Sequence, residues 1–588
     1  MSFPAYETIS TQSIVYKMMK YFTLLFFIMT TAIEAKSQCV LVKNGRSTFR
    51  IVLADKKYIE AGTVLRDIIN RSTNVKLPMS VENPKCSNCI VIGTAQDLPS
   101  ENSSTLNSNP TNSYSIVTTR NSILLISGNG GNVVIPVIEF LKKYFNARVY
   151  DGGGVITQNI STINIPVEKV TYVAPFEYRD LYYKVAFDST FMQWNQINHI
   201  WSSKDSKWGN WVHTAYEFID VPHYYKSNPE YFALVNGKRV TTQLCYSNKD
   251  VYAIVLRNLK AKIQQHPERE IWSFSQNDNN NYCQCDLCTS ADRRLGTHGG
   301  PLMLFVNQLA TDIPNKTIST LAYGFTMKAP DPKQLKLRSN ILIVYCVTQG
   351  NKAANFATDI SFKDMRTMLD GWFAQTNNIY IWDYIVNFQA LLMPFPNFSG
   401  IQSALQYYQK LGVKAVFLQG NNKPGAEFSG LRAYISSQLL WDPSQNLNKL
   451  MQEYCNYAYG PASGDVSQLI SAMLANSAKT YLIVSASSAD LSKSLFSTDQ
   501  MSAYYAIIDK GLSKVSKGTL YYNNLMAIRY SLDFTSYDMQ RRMNGKSNGL
   551  MRAATNKPAI DFNRYDMFKN VPVDENNTLI DSYLKANK

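Results

Sequence analysis

Apolar and polar positions give the chain three successive textures. From Phe49 to Val170 short apolar runs alternate with amphipathic ones: "FRIVLA", "KKYIEAGTVLRDIINRST", "CIVIGTA", "SYSIVTT", "SILLISG" and "GNVVIPVIEFLKKYFN". Short apolar runs bounded by Gly, Asn and Ser read as strands, and apolar positions recurring every three or four residues read as helices. The pattern predicts a small α+β domain over 39–172. Its "SGNGGN" at 127–132 has neither P-loop nor dinucleotide spacing, so it reads as a strand-to-helix turn.

Over 173–445 the texture changes to strand-like runs separated by longer, mostly helical connections. Eight runs qualify: "LYYKVAF" closing at Phe187, "WVHTAYEF" at Phe218, "TTQLCY" at Tyr246, "IWSFSQ" at Gln276, "ISTLAYGF" at Phe325, "NILIVYCV" at Val347, "NIYIWDY" at Tyr384 and "VKAVFLQ" at Gln419. Eight strands with helix between most of them predict an α/β fold, a (β/α)8 TIM barrel, in which chemistry gathers at the C-terminal ends of the strands. Beyond Pro443 the runs are helical, as in "NLNKLMQEYCNYAYG", and predict a helical C-terminal domain over 446–588.

Charge narrows the choice of partner. The 59 Lys and Arg exceed the 44 Asp and Glu by 15, but they are scattered, and a nucleic-acid partner needs a clustered basic footprint. Near the start, "KMMKYFTLLFFIMTTAIEAKSQC" joins a Lys-flanked start, an apolar run from Tyr21 to Ala32 and small residues around Ala35 and Ser37. That is the pattern of a secretory signal within 1–38, too short for a membrane span, with Met18 or Met19 as its natural start. No small residue immediately precedes Cys39, which favours a free exported protein, periplasmic or extracellular, over a surface-attached lipoprotein as the alternative.

With a barrel assumed, the residues at the strand ends define the candidate site: His213, Gln276, Asn277, Asp278, Tyr323, Trp382, Asp383 and Gln419, with Glu427 in the loop that follows. Sugars present apolar ring faces and many hydroxyls, which aromatic platforms and amide or carboxylate hydrogen-bonders complement. Hydrolysis adds two groups, a carboxyl to protonate the leaving oxygen and a second to support the cationic centre. Glu427 and Asp383, on neighbouring strands, suit those roles; His213, Asn277, Asp278, Tyr323, Trp382 and Gln419 suit substrate binding. Each has a plainer reading beside it. Glu427 opens a helix and would favour its dipole, Asp278 in "NDNNN" would make an Asx turn, and His213 would be a core hydrogen-bonder. No HExxH metal spacing is present, and no cofactor is required for such catalysis.

Cys283, Cys285 and Cys288 form C-x-C-x-x-C, and Cys245 ends the preceding candidate strand. The four suit either one structural zinc ion or, since export permits them, two disulfides, with free thiols as a lesser third option. Cys86 and Cys89 suit a local bridge.

Several longer stretches, "NPEYFALVNGKR" (228–239), "QLCYSN" (243–248), "SFSQNDNNNYCQCDLC" (273–288) and "GAEFSGLRAYISSQLLWDP" (425–443), resemble the domain-of-unknown-function family 4838, part of which is classed as glycoside hydrolase family 163. The segment "LLISGNGGNVVIPVIEFLKKYFNARVY" is similar to the α+β domain that precedes the barrel in α-glucuronidases and β-hexosaminidases. The resemblance implies an exported endo-β-N-acetylglucosaminidase that cleaves the GlcNAc–GlcNAc core of complex N-glycans with retention, the substrate acetamide acting as nucleophile. Under it Asp383 orients the acetamide and Glu427 serves as acid and then base. Asn228 stands where members often carry His, and the region around 187–210 is idiosyncratic, so the exact glycan stays open. Two other readings fit the same residues: a two-carboxylate glycosidase using Asp278 with Glu427 on a non-acetamido sugar, and a glycan-binding protein without activity.

Overall fold

The computed structural model describes residues 37–82, 84, 86–97, 110–199, 207–422, 427–544, 570–574 and 576–586. The apolar run from Tyr21 to Ala32, expected to belong to a secretory signal, lies outside them. Chain contacts separate two compact units, one holding the N-terminal part to Ala147 with Thr157–Tyr172, the other holding Arg148–Ile156 with Val173–Lys588.

In the first unit, β1 (Gln38–Val42) pairs antiparallel with β7 (Ile163–Pro166). A six-stranded sheet has the order β3 (Met79–Val81), β2 (Arg50–Leu53), β4 (Cys89–Thr94), β6 (Ser122–Ser127), β5 (Ser113–Thr118) and β8 (Lys169–Val173). β4 is buried along its whole length, as a central parallel strand covered on both faces must be, hence its unbroken apolar run. The "SGNGGN" stretch is the turn between β6 and the helix Val134–Phe145; a Cβ on Gly128 would overlap the carbonyl oxygen of Pro110. Cys86 and Cys89 form the local disulfide.

The second unit is built on a parallel sheet whose strand order is β12 (Ile271–Ser273), β13 (Thr317–Ala322), β14 (Ile341–Val347), β15 (Ile379–Tyr384), β16 (Ala415–Gln419) and β9 (Tyr178–Leu181). A parallel bridge from Trp208 to Ile271 extends its far edge. The last five expected strands are present as β12 to β16. The first three differ. β9 ends at Leu181, and Lys184–Phe187 is a 3-10 turn leading to Asp188, which caps the helix Ser189–Trp194 by accepting from the Phe191 amide. The expected strand 211–218 is interrupted by His213 at φ +55° and by a 3-10 turn at Ala215–Glu217. The expected "TTQLCY" strand belongs to an antiparallel hairpin, β10 (Phe232–Val235) with β11 (Lys238–Leu244). Its Asn236-Gly237 turn has both φ angles positive, 49° and 79°, as a two-residue hairpin turn requires. That local turn chemistry outweighs insertion into the sheet. Among the described residues the sheet therefore curls as a partial parallel barrel rather than closing with eight strands.

Alternation sorts its faces. Leu342, Val344 and Cys346 of β14, Tyr380, Trp382 and Tyr384 of β15, and Leu321 with the adjoining Tyr323 join Trp208, Trp211, Ile271, Tyr178 and Ala415 in one inner cluster. The intervening residues meet the outer helices; Tyr345, for example, donates to the Met365 carbonyl of the helix Lys363–Phe373. Every residue from Leu431 to Trp441 of the helix Ser429–Trp441 is buried, which explains why "LRAYISSQLLW" shows no polar stripe. The helices Leu447–Tyr459, Ser463–Ser477, Thr498–Leu512 and Leu520–Asn544 lie in this same unit. Among the described residues no helix is long and apolar enough to cross a membrane.

Candidate functional site

The C-terminal end of β12 carries a dense polar arrangement. Beyond Ser273 the chain stays extended through Phe274, whose amide donates to the Ser319 carbonyl, and Ser275, whose amide donates to Thr214 Oγ1. Gln276 is fully buried, its Nε2 donating to the Tyr323 carbonyl and to Thr326 Oγ1. Asn277 donates through its amide to Gln243 Oε1 and through Nδ2 to the Thr242 carbonyl, while Gln243 Nε2 donates to the carbonyls of Asn277 and Asn279. These bonds fix the turn in which Asp278 projects. Asp278 is exposed, and its Oδ1 accepts from the Tyr323 hydroxyl at 2.9 Å.

His213 lies beside this pair. Its amide donates to Ser275 Oγ and its Nδ1 meets the Gln276 carbonyl at 2.8 Å. A carbonyl only accepts, so Nδ1 carries the proton and Nε2 is left as an acceptor when the ring is neutral. The ring is edge-on to Tyr323 at 5.9 Å. A left-handed backbone at a histidine costs about 1–2 kcal/mol, and strain of this kind concentrates at functional positions.

An aromatic wall continues from these groups. Trp211 is stacked near Trp382 (5.9 Å, 26°), Trp382 near Tyr384 (5.9 Å, 22°), and Phe417 meets Trp382 edge-on at 5.0 Å. Trp382 Nε1 donates to Gln419 Oε1 at 2.7 Å. Burial, followed by the Cys346 thiol and the Tyr323 and Asp278 groups, holds the Tyr384 phenol well above its usual range, so these four side chains share one environment. A cavity of about 320 Å³ opens by the ends of β16 and β9, lined in part by Tyr182, Gln419, Asn421 and Asn422, and Asn422 Nδ2 donates to the Tyr182 hydroxyl. A larger cavity, about 1110 Å³, lies at the opposite end, beside Arg338, Asn378 and Lys414, which precede β14, β15 and β16. Parallel α/β sheets do their chemistry at the C-terminal strand ends, which favours the smaller one.

The structure thus brings together His213, Asn277, Asp278 and Tyr323, and separately Trp382 with Gln419, the two groups joined through Tyr384 and Trp211. It does not bring Asp383 to them. Asp383 faces the helices, opposite to its neighbours Trp382 and Tyr384. Its Oδ1 accepts from Lys352 Nζ at 2.8 Å and from the Tyr384 amide, and its Oδ2 accepts from the Tyr408 hydroxyl at 2.7 Å. This buried pair ties β15 to the loop after β14 and to the helix Phe398–Lys410.

Glu427 is also buried, its Oε1 2.6 Å from Arg432 Nε. Arg432 donates further to Asn397 Oδ1 and to the Phe395 carbonyl and lies over the Phe398 ring. Burial pushes the Glu427 carboxyl up, against the pull of Arg432.

Two polar features were not anticipated. Asp180 of β9 is fully buried 2.5 Å from His199 Nδ1, while His199 Nε2 donates to the Ala186 carbonyl. Desolvation lowers this imidazole's pKa, but Asp180 and the carbonyl outweigh it and raise it. Tyr384 was the other, and its signal was its place two residues after Trp382 on one strand face. No sequence signal marked Trp211.

No curated protein matches the chain. Solved structures similar to it include CpGH84B (11% identity, 87% of this chain and 90% of that chain, TM-score 0.40). A β-N-acetylhexosaminidase from Bacteroides fragilis matches at 10% identity, over 73% of this chain and 94% of that chain, with a TM-score of 0.41. CpGH89 from Clostridium perfringens, in complex with its substrate GlcNAc-alpha-1,4-galactose, matches at 10% identity over 84% and 63%, with a TM-score of 0.47. A family model matches residues 155–471, spanning "NPEYF", the cysteine motif and the segment around Glu427, and by that match the chain belongs to the family described as Domain of unknown function (DUF4838).

Proposed function

We propose that this protein is an exported glycoside hydrolase that cleaves beside an N-acetylglucosamine residue with retention of configuration, the substrate's 2-acetamido group serving as nucleophile. The observation that carries this reading is Asp278, an exposed carboxylate held by Tyr323 at the end of β12 and bordered by the aromatic wall. Stacked Trp and Tyr rings suit the apolar face of a pyranose, and the surrounding amides suit its hydroxyls.

In the proposed mechanism Asp278 orients and polarises the acetamide in place of Asp383, whose oxygens accept from Lys352, Tyr408 and the Tyr384 amide on the side facing the helices. The acetamide oxygen attacks the anomeric carbon as the glycosidic bond breaks, and the leaving oxygen takes a proton from Glu427. Burial favours the protonated Glu427 that this step needs. Water then opens the cyclic intermediate and gives its proton back to Glu427. The family resemblance supports the finer specificity, endo-cleavage of the GlcNAc–GlcNAc core of complex N-glycans, and the Lys-flanked apolar segment at 17–39 supports export.

A panel of protein-linked N-glycans, read by mass spectrometry, tests this: the expected product leaves one N-acetylglucosamine on the peptide. Absence of cleavage on every acetamido substrate in the panel overturns it. A second reading, in which Asp278 attacks the sugar directly, is favoured by the exposure of that carboxylate. A thiazoline mimic of the cyclic intermediate inhibits only the first mechanism.

A further inference from the structure

Four cysteine sulfurs converge outside this site. Cys245 directly follows β11, Cys283 and Cys285 precede the helix Asp286–Leu295, and Cys288 lies in its first turn. Their Sγ atoms all lie within 4.8 Å of one another, with Cys245 3.6 Å from Cys285 and 3.9 Å from Cys288. One thiol is thus nearly equidistant from two others, which is the arrangement of a shared centre and not of two bonded pairs. A tetrahedral zinc ion with Zn–S bonds of about 2.3 Å sets its sulfurs about 3.8 Å apart. Three of the four residues are buried, Cys288 completely. The surroundings suit thiolates: the Leu234 amide donates to Cys283 Sγ at 3.3 Å, Arg239 Nη1 lies 3.9 Å from the same sulfur, and the Ser247 hydroxyl is 3.2 Å from Cys288 Sγ.

We infer that Cys245, Cys283, Cys285 and Cys288 form a tetrathiolate zinc site that clamps the β10–β11 hairpin to the loop presenting Asp278. On binding, four S–H groups lose their protons and four Zn–S bonds form; Zn²⁺ with four thiolates carries a net charge of −2, which Arg239 and the Leu234 amide partly offset. The clamp reaches the loop by a short path. Thr242 and Gln243, just before Cys245, make the hydrogen bonds that hold Asn277 and Asn279 on either side of Asp278. Cys283 follows only a few residues later on the same loop. The hairpin and the loop are thereby joined at both ends of the segment, by amides at one end and by metal at the other.

The test uses the full chain, purified without chelator and analysed for metal by inductively coupled plasma mass spectrometry. One zinc per chain is expected, lost on treatment with a mercurial thiol reagent and lost in Cys285→Ser. It should be retained in Cys455→Ser, whose thiol is buried elsewhere in the helix Leu447–Tyr459. Cobalt added to the demetallated protein should give the intense visible bands of tetrahedral cobalt thiolate. Denatured with chelator and titrated for thiols, the protein should show the seven free cysteines that remain beside the Cys86–Cys89 bridge. Two disulfides in the cluster would leave three, because four of those seven would be paired, and that count overturns the inference. Seven thiols with neither zinc nor cobalt uptake overturns it equally. The clamp is read by amide hydrogen exchange, expected to speed up at 277–282 when zinc is removed; unchanged exchange there overturns the positioning role. None of these readouts depends on hydrolysis, so the outcome is independent of the proposed activity.

Discussion

Tyr323, just beyond β13, donates its phenolic proton to Asp278, just beyond β12, across 2.9 Å. This cross-strand bond sets the direction of the exposed carboxylate. Asp278→Asn should therefore lower kcat by about 10²–10⁴-fold with a much smaller change in KM, the loss expected when one group of the chemical step is removed. Tyr323→Phe removes a hydrogen bond to a charged acceptor, worth about 1.5–3 kcal/mol, and should cost about ten- to a hundredfold in kcat/KM. Steady-state kinetics on a defined N-glycan would check both. An Asp278→Asn enzyme with normal kcat would remove Asp278 from the mechanism.

Asp383 should behave as a support. Asp383→Ala leaves Lys352 buried without its partner and should destabilise the fold by about 3–5 kcal/mol in denaturant unfolding. Its kcat, measured well below the unfolding midpoint, should stay within a few-fold of the parent. A severe kcat loss in a stably folded Asp383→Asn would return the acetamide-orienting role to it.

Glu427→Gln should abolish hydrolysis while glycan binding stays measurable by calorimetry. Unchanged turnover would leave Glu427 as a structural partner of Arg432, and binding without product in the parent protein would favour a capture function.

The raised His199 gives a pH dependence with a definite sign. A histidine bound more tightly to its proton when folded adds stability that is complete below its ordinary value of 6.5 and is lost as the pH rises through the raised one. Unfolding free energy should thus fall with rising pH above 6.5, and Asp180→Asn should flatten that slope. The raised Glu427 contributes in the same sense from 4.5 upward, and Glu427→Gln should flatten the part of the slope that it supplies. A slope unaltered in both variants would assign it to other groups.

Trp382→Ala removes a platform from the aromatic wall and should raise KM or Kd about tenfold, since an aromatic stacking contact is worth about 0.5–1.5 kcal/mol beyond its area. The fold should persist, because Trp382 is only half-buried.

How much of this was legible depended on whether local pattern or distant packing decided each element. β12 to β16 are buried parallel strands, and their apolar runs declare them. Ala215–Glu217 and "TTQLCY" read as barrel strands by composition, yet a 3-10 turn prevailed at the first and an Asn-Gly hairpin turn drew the second into an antiparallel pair. At the site, residue types were legible and orientation was not. "IWSFSQND" named the loop, but whether Asp383 faced the inner cluster or the helices depended on where β15 begins, since a shift of one residue exchanges its faces. The pairing of Asp180 with His199 joins residues on separate segments and carries no sequence signal.

Strand β15 then acts as a sorting device for genetic change. Odd positions look outward to the helices, where Asp383 meets Lys352 and Tyr408, and even positions look inward, where Trp382 and Tyr384 line the wall. Variants at Ile379, Ile381 and Asp383 should be read first in abundance and melting, and those at Tyr380, Trp382 and Tyr384 first in substrate range. Six consecutive residues would separate, by parity alone, how long this protein lasts from what it handles.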